Sequence, residues 1–122
     1  MMRVHFSKRP PSLNGLWTNV PGRGRVLNGR YLKWRGSVHI TPKDVADTSF
    51  PIRHRVKVEY FLERPDVKIV DVANYEKALS DGLVRTNILW DDHLIWDVRT
   101  AWSTDKSLHP VTAFIFPLPD GW

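Results

Sequence analysis

Between Val70 and Leu83 the chain reads "VDVANYEKALSDGL", and after "ILW" come Asp91 and Asp92. Asp71, Asn74, Lys77 and Asp81 fall on or near the start of a helix-like stretch. Acids, an amide and a lysine at this spacing suit metal-dependent chemistry. Hard cations such as Mg²⁺ take oxygen ligands, usually one or two carboxylates with water and a substrate phosphate. Asp71, Asp91 and Asp92 are therefore candidate metal ligands. Hydrolysis of a phosphodiester needs an activated water and neutralisation of charge in the transition state. Lys77, one to two turns into the helix, has a stem long enough to reach a phosphate. An ordinary reading competes with this one. In it Asp71 caps a helix, Asp91 and Asp92 decorate a turn, and Lys77 is solvated. Ala73 is the odd member, an apolar residue in the middle of the cluster.

The elements that must position these residues follow from the pattern. Val72, Tyr75, Leu79 and Leu83 recur at 3.6 periodicity, so the spacing predicts a helix over 74–84 with Asn74, Lys77 and Asp81 on its other face. In "RHRVKVEYFLE", Val56, Val58, Tyr60 and Leu62 alternate with charged residues and Phe61, which predicts a strand. Val4 to Phe6, "LIWDVRTAWS" and "PVTAFIFPL" are further strand candidates, the last two separated by the turn-like "TDKSLH". "RPDVKIV" reads as a loop or short strand. "YLKWRGSVHI" predicts a short helix carrying Tyr31, Trp34 and Val38, limited by Pro42. "KRPPSLNG", "VPGRGRVLNG" and "TPKDVADTSFP" read as loops. The expected fold is one small α+β domain over residues 1–122, with a mixed or antiparallel sheet and two helices.

Composition narrows the partners. The 122 residues carry a net charge of +5, unevenly spread. Residues 1–43 hold nine of the 18 Lys and Arg and no acid, whereas the rest hold nine against 13 acids, a net of −4. A basic first third is suited to a polyanion such as nucleic acid, or simply to solubility. With no cysteine, disulfides, thiolate zinc sites and a cysteine nucleophile are excluded. No apolar run approaches the roughly 20 residues of a membrane span, and "MMRVHFSKRPPS" does not resemble a secretory leader. A cytoplasmic location is expected. The five histidines form no helix-spaced pair or zinc signature, and the serines no nucleophile elbow. His93, next to Asp92, would sit at the rim of any site there, unless it is a plain turn histidine. "GRGR" lacks the lysine-serine ending of a phosphate loop. Of the six tryptophans, most are expected in a core or dimer interface. Trp17, in the basic segment, is the best candidate for stacking on an unpaired base, with packing as its alternative.

The block "DVANYEKALSDGLVRTNILWDDHLI" resembles the signature of RusA-type Holliday junction resolvases. That signature runs Asp-x-Asp-Asn-x-x-Lys, then Ala/Leu and Asp-x-Leu, then Asp-Asp before a strand. Asp71, Asn74, Lys77, Ala78, Asp81, Leu83, Asp91 and Asp92 match it in order. "RPPSLNGLW" is similar to the family's Pro-Pro-Ser-x-Asn element, and "RYLKWR" to its Tyr-x-x-Trp/Arg helix. The resemblance covers about residues 4 to 100. It implies a homodimeric, Mg²⁺-dependent DNA endonuclease, often phage-encoded, with Mn²⁺ able to substitute. Such enzymes resolve four-way junctions in recombination and repair by two opposed cuts. It further implies that Asp71 and Asp92 bind metal, with Asp91 sharing the role, that Lys77 is the active-site lysine and that Asn74 supports it. Ala73 stands where the family has its second aspartate, so impaired cutting is expected. The alternatives are a non-cleaving junction-binding protein of the same fold and an unrelated basic nucleic-acid-binding domain.

Arg9, Asn14, Arg23, Arg25, Arg30, Lys33 and Arg35 are the expected DNA contacts, since recognition of a junction rests on phosphates and shape. Binding to a synthetic four-way junction should then weaken steeply with salt. Changing Arg23 and Arg25 to Ala should lower affinity and flatten the log–log salt slope by roughly 0.9 per lost phosphate contact. An unchanged slope and affinity would remove both residues from the footprint.

Overall fold

Val56, Val58, Tyr60 and Leu62 are completely buried, and the strand they form, β5 (Val56–Glu63), organises a five-stranded sheet. The computed structural model describes residues 1–12, 16–45, 48–65 and 70–119. β7 (Val111–Pro117) runs antiparallel along one side of β5, with Tyr60 opposite Ala113. β6 (Ile95–Ser103) runs parallel along the other, with Tyr60 beside Thr100. β1 (Met2–Phe6) pairs antiparallel with β7, and β4 (Ile40–Lys43) antiparallel with β1. The order is β4-β1-β7-β5-β6, a mixed sheet in which the last strand enters the middle. The sequence pattern finds β6 and β7 as strands but cannot show that β7 leaves its neighbour in sequence to lie between β1 and β5.

Parallel strands cannot be joined by a tight turn, so β5 and β6 need a crossover. It is built from a 3₁₀ turn (Val72–Tyr75) and α2 (Glu76–Arg85). The expected helix is present but starts later, because residues 72–75 take the tighter winding. Tyr75, Leu79 and Leu83 are buried as the periodicity predicts, and Ala78, Ser80 and Gly82 join them. Gly82 allows a close approach. A Cβ there would lie 2.9 Å from Ile40 Cδ1 and 3.4 Å from Phe6 Cε2.

α1 (Gly29–Ser37) packs on the same side of the sheet. Its N-cap, Asn28, accepts the Arg30 N–H at 2.8 Å, and Tyr31 and Trp34 are its buried residues. The protein is thus a small α+β domain with a mixed sheet and two helices. Among the described residues no helix is long and apolar enough to cross a membrane.

Parts of two expected loops, "VPGRGRVLNG" and "TPKDVADTSFP", are strands. β2 (Trp17–Val20) and β3 (Gly24–Leu27) form a separate hairpin. Its tip is Val20-Pro21-Gly22-Arg23, closed by the Arg23 N–H donating to the Val20 carbonyl at 3.0 Å. Gly22 has φ +76°, which suits the third position of a type II turn after proline. Pro21 and Gly22 occupy the tip, while Gly24 opens β3 and Gly29 opens α1. β4 contains Pro42, tolerated because β4 is an edge strand. The segment 66–69, inside "RPDVKIV", lies outside the described residues.

The tryptophans divide between core and surface. Trp34 is buried and donates its indole N–H to the Lys8 carbonyl at 3.0 Å. Trp102 is half-buried against Tyr75. Trp17, Trp90 and Trp96 are exposed, each with an arginine over its ring: Arg25, Arg53 and Arg55. Trp122 lies outside the described residues. Core packing thus accounts for Trp34 and in part for Trp102, while Trp90 and Trp96 remain on the surface.

Inside the core, Tyr60 is 2.8 Å from Ser80 Oγ, and Ser80 donates to Glu76 Oε1 at 2.6 Å. Since the serine proton goes to the carboxylate, Tyr60 is the donor to Ser80. Burial raises the Tyr60 pKa far above its ordinary value, so the phenol stays protonated. Ser80→Ala should cost about 1–3 kcal/mol in urea unfolding, because it strands a buried hydroxyl. Adding Tyr60→Phe should recover part of that loss. A double variant no more stable than Ser80→Ala would rule out this account of the helix–sheet contact.

Candidate active site

The exposed face of α2 carries Lys77 and Asp81 one turn apart. Lys77 Nζ is 3.2 Å from Asp81 Oδ1 and 4.0 Å from Asp92 Oδ2. Its pKa is raised, first by the hydrogen bond to Asp81 and then by that carboxylate's charge, so the ammonium persists at neutral pH. Asp92 opens a 3₁₀ turn (Asp92–Leu94) whose Leu94 is anchored in the core. Asp91 caps that turn. Its Oδ1 accepts the His93 N–H at 3.1 Å and lies 3.0 Å from His93 Nδ1. The His93 backbone N–H, and then its ring, hold the Asp91 carboxyl below the usual carboxylate range.

These groups face a cleft of about 470 Å³. One wall comes from the hairpin region and α1: Leu16, Trp17, Leu27, Tyr31 and Arg35. The other comes from α2 and the turn after it: Lys77, Asp81, Val84, Arg85, Asp91 and Asp92. Arg35 lies 5.5 Å over the Tyr31 ring. Burial, then Asp81, raises the Tyr31 pKa, so its phenol is neutral. A larger concavity of about 680 Å³ lies beside Met1, Arg53 and Pro117, but none of its described lining residues is acidic. The smaller cleft is therefore the better seat for the chemistry considered above.

The structure brings together Lys77, Asp91 and Asp92. It leaves Asp71, Ala73 and Asn74 upstream, in the 3₁₀ turn and its cap. Asp71 Oδ1 accepts the Ala73 N–H at 3.1 Å, and its carbonyl accepts the Asn74 N–H at 3.0 Å. These three do not line the cleft, and no hydrogen bond or ion pair ties them to Asp91 or Asp92. Among the described residues no three His, Cys, Asp or Glu gather closely enough to cage a metal. Mg²⁺ does not require such a cage. It keeps several waters and uses one or two carboxylates. Asp91 and Asp92, with side chains 50% and 51% exposed, supply hard oxygen donors open to water, so the donor set fits a hydrated cation.

Of the expected DNA contacts, Arg23, Arg25, Arg30 and Lys33 are exposed on the hairpin and α1, and Arg35 lines the cleft. Arg9 is engaged within the fold, donating to the Glu63 carbonyl at 2.9 Å and lying 5.8 Å over Tyr75. Asn14 lies outside the described residues. Asp81 is counted in the cluster by sequence but given no role there, and Arg85 and Tyr31 are cleft residues that the sequence does not assign to a site. The i,i+4 spacing of Lys77 and Asp81 is a usable signal for the first. Arg85 and Tyr31 have no local signal, because only the packing of α1 against α2 puts them together. His93 is an exposed turn histidine bound to Asp91 and does not line the cleft.

Among known proteins, no family model matches the chain and no curated protein is a significant match.

Because the folded-state pKa of Asp91 is depressed, its contribution to stability is fully present above the unfolded value of about 3.9. It is lost as pH falls through the folded value. In an NMR titration its carboxyl midpoint should lie below the ordinary range. His93→Ala should raise that midpoint part of the way, since the backbone N–H remains. An ordinary midpoint in the unaltered protein would mean that the cap does not form.

Proposed function

We propose that this chain is a Mg²⁺-dependent, structure-specific DNA endonuclease of RusA type. In this reading it resolves four-way junctions by paired phosphodiester hydrolysis, and Ala73 impairs the cutting. The observation that carries the proposal is the approach of Lys77 to Asp92 at the mouth of a cleft bordered by a basic hairpin. Two residues distant in sequence, matched to the resolvase signature on independent grounds, meet in the fold. Asp92 and Asp91 would hold the cation together with water, whereas Asp71, a ligand by the resemblance, lies outside the cleft as the cap of the preceding turn. The bound cation would activate water and offset charge on the reacting phosphate. Lys77, held by Asp81, would present a fixed positive charge to that phosphate, with Asn74 a supporting amide in the preceding turn. Arg35 and Arg85 would position the flanking backbone, and Arg23, Arg25, Arg30 and Lys33 the duplex arms. As a DNA enzyme it would work in the cytoplasm of a bacterial or phage-infected cell.

Two opposed cuts call for a homodimer. β6 suits a two-fold contact, since it is a nine-residue edge strand with exposed Trp96 and Val98. Two copies set antiparallel about Val98 would place Asp97 of each opposite Arg99 of the other, a favourable cross-strand pair. Light scattering at micromolar concentration should give a dimer mass, and Arg99→Asp should lower it. A monomer mass with and without junction DNA would sink the dimer.

Ala73 favours one second reading, a junction-binding protein that does not cut. Ala73 is exposed in its 3₁₀ turn, so an aspartate there needs no repacking. Ala73→Asp should raise cleavage of a mobile four-way junction in Mg²⁺ at least about tenfold, or 1.4 kcal/mol of barrier. Asp92→Asn in that background should abolish it. Robust cleavage by the chain as it stands would show that Ala73 is no lesion. Binding without cleavage, even after Ala73→Asp, would favour the second reading.

A further inference from the structure

We propose that the cleft between the hairpin and α2 takes a single unstacked nucleotide, with Trp17 as the platform for its base. The inference rests on the nucleic-acid reading above but concerns which part of the DNA enters.

The hairpin register sets the geometry. Trp17 pairs with Leu27 and Asn19 with Arg25, so all four share one face of the two-stranded sheet. Trp17 and Leu27 line the cleft, which makes this the cleft-facing side. Trp17 is 39% exposed there, and the Arg25 guanidinium lies 5.1 Å from its ring centroid. An exposed aromatic with a cation beside it, on a short strand, is the arrangement by which proteins bind unpaired strands. The ring stacks on any base and the cation follows the backbone.

The lining is divided in kind. Trp17, Leu16, Leu27, Tyr31 and Val84 supply apolar and aromatic surface. The α2 wall adds two cations, Lys77 and Arg85, with three carboxylates, Asp81, Asp91 and Asp92, and Arg35 on the first wall adds a third cation over the Tyr31 ring. A plain phosphate cradle would be positive throughout. This cleft instead offers an apolar half for a base and a charged half for the sugar-phosphate. Its volume of about 470 Å³ lies within the range of small-ligand sites and matches one nucleotide rather than a stacked duplex segment. A base must therefore leave the stack to enter, which is least costly where it is already unpaired. Placed there, its phosphate would lie toward Lys77 and Asp92.

The test uses the full chain and two DNA probes. One is a duplex with a one-nucleotide gap whose unpaired template base is 2-aminopurine, and the other is the same duplex without the gap. The expected result is a change in 2-aminopurine fluorescence on binding. Trp17→Ala should weaken binding to the gapped probe about tenfold and leave binding to the intact duplex within twofold. Trp17→Phe should restore most of the affinity, whereas Trp17→Leu, which keeps apolar bulk but not the ring, should not. Thermal melts of the variants check that the exposed position tolerates the changes. Equal loss on both probes, full affinity for Trp17→Leu, or no 2-aminopurine response in the unaltered protein would overturn the site. Failure of the nuclease reading shows separately, as absence of junction cleavage by Ala73→Asp while the Trp17-dependent preference for the gapped probe persists.

Discussion

The seat of α2 on the sheet is the constraint on which the rest depends. Two contacts fix it. Gly82 lets the helix backbone approach Ile40 and Phe6, and Ser80 bonds Tyr60 from the middle of β5. The first sets the distance between the layers and the second sets the rotation of the helix. With Leu79 and Leu83 turned into the core one turn apart, Lys77 and Asp81, also one turn apart, fall on the opposite side of the helix and face outward. The orientation of the candidate site is thus a consequence of core packing.

Charge in the cleft is arranged as matched pairs. Lys77 is held between Asp81 and Asp92, and Asp91 is satisfied by the N–H and ring of His93. Such pairs on an exposed face add little to stability. Their effect is positional, since each long or mobile group is restrained by a neighbour. The Asp91 cap fixes the turn from which Asp92 projects, and Leu94 fastens that turn to the core. A polar site open to water is in this way built on apolar anchors.

The hairpin is the second wall of the cleft and is tied to the body through Asn28. That residue accepts from Arg30 to cap α1, donates its side-chain N–H to Thr18 Oγ1 and its backbone N–H to the Leu16 carbonyl. One side chain therefore links the end of β3, the start of β2 and the first turn of α1. This coordinates the basic hairpin with the helix that carries Arg30, Lys33 and Arg35.

What local chemistry controls is legible in the residue pattern. The alternation in β5, the amphipathic period of α2, the Asp71 cap and the strands β6 and β7 follow from side-chain spacing within a few residues, and the α+β class follows from them. Lys77 and the Asp91-Asp92 pair could be singled out because their residue types are informative wherever they fall. The hairpin and β4 were illegible because Pro and Gly signal a turn without saying how narrow it is, and because an edge strand tolerates a proline that an inner strand does not. The entry of β7 between β1 and β5, the exposure of Trp90 and Trp96, and the joining of Tyr31, Arg85 and Trp17 to the carboxylates were decided by tertiary structure alone. Each depends on which faces of distant segments are buried together, and the free energy of that burial is a property of the assembled core rather than of any stretch of the chain.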